Sequence, residues 1–132
     1  AWEAAERLAA RGMDVAVVNA RFAKPVDAAL LAALASRIPL LVTLEEHSAQ
    51  GGFGSAVLEA LAAQGAPGCQ VDVVGVPDRF VEHGSRAALL EGLGLTARGI
   101  ADRVEELLRR GAASGARGGT ASFVERPGWV SR

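Results

Sequence analysis

Val42-Thr43-Leu44-Glu45-Glu46-His47-Ser48-Ala49-Gln50-Gly51-Gly52-Phe53-Gly54-Ser55-Ala56-Val57 is the stretch on which the fold turns. Its first residues finish an apolar run, Leu40 to Leu44, that reads as a buried strand. A polar turn follows, punctuated by Gly51, Gly52 and Gly54. Phe53, Val57 and Leu61 then recur at helical spacing, which predicts a helix from about Phe53 to Gln64, with Phe53 anchoring it on the sheet. In an open α/β sheet, ligands and partners meet the carboxyl ends of strands, and this turn occupies such an end.

Two readings of the turn compete. Its glycines permit positive φ or close approach of another backbone. Free N–H groups at the start of the helix also suit an anion. Gly51-Gly52-Phe53-Gly54-Ser55 carries neither GxGxxG nor GK[ST], so tight helix–sheet packing is the favoured reading. Glu45 and Glu46 are adjacent, and neighbours on an extended chain point to opposite sides. They are therefore not expected to share a proton as a catalytic pair.

Outward from this stretch, strands alternate with helices. Trp2 to Arg11 reads as a helix closed by Gly12 as its C′ residue. Val15 to Asn19 reads as a strand of the apolar kind found inside parallel sheets. A loop runs to Pro25, and Asp27 is placed to cap a helix from Ala28 to Arg37. Val71 to Val76 is the next strand, followed by the loop Pro77 to Ser85. Ser85 caps a short helix ending at Glu91, and Thr96 caps the last one. That last helix carries an apolar stripe of Ile100, Val104, Leu107 and Leu108. Glu105 with Arg109 and Glu106 with Arg110 form i,i+4 pairs on its outer face. The pattern predicts an α/β fold with a mostly parallel sheet. The domain is expected over residues 1–110, and residues 111–132, rich in Gly, Ala and Ser at first, read as a flexible tail.

Composition narrows the function. The chain has 132 residues, enough for one domain with a real core. Its net charge of −1, without a basic stripe, makes nucleic acid a poor partner. No apolar run approaches a membrane span, and no signal peptide is evident. The expected compartment is the cytoplasm. Cys69 is the one cysteine, so it reads as a small, partly buried residue rather than part of a disulfide or zinc cluster. The chain opens inside a helix, which reads as a fragment of a longer protein.

Four stretches together carry a family resemblance. They are Val18-Asn19-Ala20-Arg21-Phe22-Ala23-Lys24-Pro25-Val26-Asp27, the Val42–Val57 stretch, Gly75-Val76-Pro77-Asp78-Arg79-Phe80-Val81-Glu82-His83-Gly84-Ser85, and Leu93-Gly94-Leu95-Thr96. In order and spacing they resemble the C-terminal domain of the 1-deoxy-D-xylulose-5-phosphate synthases, within the wider group of transketolase C-terminal domains. Equivalent domains of transketolases and of 2-oxoacid dehydrogenase beta subunits are the alternative, and an independent anion-binding module is a further one. The resemblance implies a three-layer α/β/α sandwich. It also implies a parent transferase that condenses pyruvate with glyceraldehyde 3-phosphate on thiamine diphosphate and magnesium, in isoprenoid and thiamine biosynthesis. The cofactor is held by preceding domains, so the chain alone is expected to be inactive. The implied partners are those preceding domains and a second copy in a homodimer.

The resemblance also implies that the family's early strands are missing here, one of them central. Such a strand buries several apolar side chains at about 1.5–3 kcal/mol each. Whole-domain stability is roughly 5–15 kcal/mol, so marginal stability or self-association is expected.

No residue is expected to be catalytic, cofactor-binding or metal-binding. Arg21, Glu46, Gly51, Gly52 and His83 are the candidates for an interface or anion contact. Arg21 follows a strand end, where it could meet a phosphate, but hydrogen bonds or an ion pair fixing its loop are the simpler expectation. His47 and His83 each have a glutamate nearby in sequence, a pairing that would suit proton transfer. Asp78 and Arg79 are expected to brace their loop.

Overall fold

The computed structural model describes residues 1–65 and 68–113. Its elements are α1 (Trp2–Ala10), α2 (Ala28–Ala35), β1 (Leu40–Ser48), α3 (Phe53–Ala63), β2 (Gln70–Val76), α4 (Arg86–Gly92) and α5 (Ala97–Ala113).

Local chemistry sets the helix ends. Gly12 takes φ +77°, and α1 closes on bonds from the Gly12 N–H to the Ala9 carbonyl and from the Met13 N–H to the Leu8 carbonyl. At the start of α2, the Asp27 carboxylate accepts from the Leu30 N–H at 2.9 Å. The Ser85 hydroxyl accepts from the Ala88 N–H, and the Thr96 hydroxyl from the Gly99 N–H, opening α4 and α5. The two glutamate–arginine pairs expected on α5 both form.

β1 and β2 pair in parallel, with Leu40 opposite Gln70 and Leu44 opposite Val74. Side chains alternate across this ribbon. Val42 and Leu44 pack against buried Ala4, Leu8, Ile100, Ala101 and Val104 of α1 and α5. Leu41 and Val71 pack against Ala35, Val57 and Leu61 of α2 and α3. The result is three layers, α1 with α5, the sheet, and α2 with α3, the architecture expected of the sequence. Leu8 and Val57 are the largest fully buried side chains among the described residues, each worth about 1.5–3 kcal/mol. Arg11 ties α1 to α5 through Asp102 at 2.8 Å and Glu105 at 2.7 Å, and these carboxylates hold the guanidinium proton more tightly than usual. On the same side, Asp72 of β2 accepts two bonds from Arg103 of α5, at 2.7 and 2.8 Å.

Several expectations need correction. Val15 to Asn19 forms no strand, because among the described residues the only ladder joins β1 to β2. Val15 packs on the α1–α5 cluster, whereas Val17 and Val18 are 39% and 46% exposed. β1 runs on to Ser48 rather than stopping at Leu44. Its register jumps from Leu44 opposite Val74 to Ser48 opposite Val76, so extra residues bulge out of the ladder where the polar turn was expected. α5 continues to Ala113, so residues 111–113 of the expected tail are helical. The rest of the expected tail lies outside the described residues. Phe53 is half-buried beside Val57 and Leu61, an edge rather than a centre of that cluster. No described helix is long and apolar enough to cross a membrane.

Candidate functional site

The turn after β1 is built around Glu45. It shares its strand face with Leu41 and Thr43, and that face looks toward α3. One carboxylate oxygen accepts from the Phe53 N–H at 2.8 Å and the other from the Gly54 N–H at 2.9 Å. These N–H groups stand at the positive end of α3, where a carboxylate is favoured. Gly52, the residue before α3, contributes no side-chain cap. Glu45 supplies it from across the turn.

The glycines serve close packing. A Cβ on Gly54 would collide with the Val73 side chain and lie 2.8 Å from the Thr43 hydroxyl. A Cβ on Gly52 would collide with the Glu45 carboxylate and the Ser48 carbonyl. Gly51 needs its glycine for a different reason, since its φ is +72°. Its N–H donates to the Ser55 hydroxyl at 2.8 Å. The buried Thr43 hydroxyl has no hydrogen-bond partner among the described residues.

Glu46 engages a different helix. The Arg86 guanidinium at the start of α4 donates to both of its oxygens, with Nε–Oε2 at 3.1 Å and Nη2–Oε2 at 2.8 Å. This pair lies over a groove of about 250 Å³ lined by Val76, Val81, Leu89, Leu90, Leu93 and Leu95. Both side chains are more than half exposed, so the pair guides α4 more than it stabilises the domain.

The other candidate residues are not drawn into the turn. Arg21 is exposed and makes no hydrogen bond or ion pair among the described residues, which corrects the expectation that it fixes its loop. Its neighbours in the loop are exposed too, and no carboxylate is folded against it. His83 and His47 are exposed, and among the described residues neither pairs with a glutamate and no His–Glu proton relay forms. Among the described residues the Asp78 and Arg79 side chains make no hydrogen bond or ion pair that braces their loop; a backbone bond runs there from the Arg79 N–H to the Pro77 carbonyl. Cys69 is half-buried, and burial pushes its thiol pKa up. Sequence reasoning missed the roles of Glu45 and Arg86. The period-2 parity of Leu41, Thr43 and Glu45 was the available signal for the first. Nothing local marks Arg86, which meets its partner 40 positions away.

The chemistry of the turn follows from its donor set. The helix-start amides that would suit a phosphate are held by the chain's own carboxylate, whose charge would repel a second anion. Among the described residues no three His, Cys, Asp or Glu are grouped to hold a metal ion. The residues of this turn therefore do not fit a diphosphate–metal group. They form a joint that locks a strand end to a helix start.

Comparison with known proteins agrees with this fold. The family described as "Transketolase, C-terminal domain" matches residues 1–100, and the chain belongs to that family. Its relatives include a 1-deoxy-D-xylulose-5-phosphate synthase of Geobacillus thermodenitrificans, 51% identical over 111 residues, or 83% of this chain and 18% of that protein. A 1-deoxy-D-xylulose-5-phosphate synthase 1 of Geobacter sulfurreducens is 46% identical over 125 residues, or 95% of this chain and 19% of that protein. Among solved structures, a protein titled "Split gene transketolase, inactive beta4 tetramer" superposes with a TM-score of 0.73 at 42% identity, over 82% of this chain and 35% of that one. The chain thus spans less than a fifth of the curated relatives it matches.

Proposed function

We propose that this chain is the C-terminal packing domain of a 1-deoxy-D-xylulose-5-phosphate synthase, the transferase that joins pyruvate to glyceraldehyde 3-phosphate with loss of carbon dioxide. Thiamine diphosphate and magnesium belong to the other domains of that enzyme. This domain packs against them and supports a homodimer. It works in the cytoplasm and takes no part in the chemistry itself. The domain occupies residues 1–110, and Arg21, Glu46, Gly51, Gly52 and His83 face its partners rather than a substrate.

One observation carries the reading. Glu45 closes the α3 start from within, so the turn that most resembles a ligand site is committed to holding the fold together. That argues against an independent anion-binding module. The relatives named as synthases support the choice of parent enzyme.

The test uses pure protein with pyruvate, glyceraldehyde 3-phosphate, thiamine diphosphate and magnesium. The chain alone is expected to give no product. Joined to the preceding domains of a synthase in place of that enzyme's own C-terminal domain, it is expected to restore activity and the dimer. Product from the chain alone, or an inactive but folded chimaera, would overturn the reading.

A further inference from the structure

We draw no further inference here: the strongest candidate, the apolar groove between the end of β2 and α4 beside the fully exposed Phe80, is an unpartnered face, and nothing in the structure shows what covers it.

Discussion

Glu45 and Glu46 are consecutive, yet their carboxylates bind different helices, Glu45 the backbone of α3 and Glu46 the guanidinium of Arg86 on α4. The pleat of an extended chain sends neighbours to opposite sides, so two like charges never face each other. Each anion meets a positive partner instead. For Glu45 that partner is a half-buried helix end, and for Glu46 an exposed side chain.

The two carboxylates should therefore differ in worth. Glu45→Ala leaves two helix-start amides without their charged acceptor, and is expected to cost about 1.5–3 kcal/mol. Glu46→Ala removes an exposed ion pair and should cost about 0.2–1 kcal/mol. Urea midpoints of the two variants make the comparison. Equal losses would mean that Glu45 does not hold α3.

Gly54 and Gly92 offer a paired test of packing. Gly54→Ala pushes a methyl group into Val73 and Thr43, and overpacking of this kind costs about 1–3 kcal/mol. Gly92 ends α4 with open space around it, so Gly92→Ala should be neutral or stabilise by up to about 1 kcal/mol. Thermal melts of both variants would show the opposite trends. A stable Gly54→Ala variant would show that α3 does not sit closely on the sheet.

Cys69 gives a pH test. Burial disfavours the thiolate, so the folded pKa lies above the unfolded one. The folded chain then holds its proton longer, and this contribution to stability is present below the unfolded pKa, about 8.5. It is lost as pH rises through the folded pKa. Iodoacetamide should alkylate Cys69 more slowly in the folded chain than in urea at pH 8.5, and a Cys69→Ser variant should lose the alkaline slope. Equal alkylation rates in the two states would place the thiol in water.

The sheet edges give the last prediction. β1 and β2 pair only with each other among the described residues, and segment 13–20, where Val17 and Val18 are exposed, joins no ladder. Unpaired apolar edges recruit further strands. The isolated chain is expected to self-associate, with scattered light per unit mass rising across a concentration series. A monomer that persists at high concentration and unfolds cooperatively would contradict this.

Much of this fold was legible because its signals are short. Gly12, Asp27, Ser85 and Thr96 act on backbone groups within four residues, so each helix end could be read from its own neighbourhood. The apolar run Leu40 to Leu44 marked a buried strand, and the opposed directions of Glu45 and Glu46 followed from the alternation of an extended chain. The glycine turn was recognised as a packing joint for the same local reason. Its acceptor was not, because Glu45 caps amides eight and nine positions away across a turn.

Sequence by itself determined the helices, the two strands that flank α3, the helix caps and the family to which the chain belongs. Only the tertiary structure decided which edges pair and which charges meet. Val15 to Asn19 has the composition of a strand, but a strand exists only where a neighbour offers its N–H and C=O groups, and none of the described residues does so here. Arg86 finds Glu46 across 40 positions and Arg11 finds Glu105 across 94, while Arg21, equally charged, finds no partner among the described residues. Propensity and capping depend on a few adjoining residues. Ladders and ion pairs depend on where the path of the whole chain brings distant groups together.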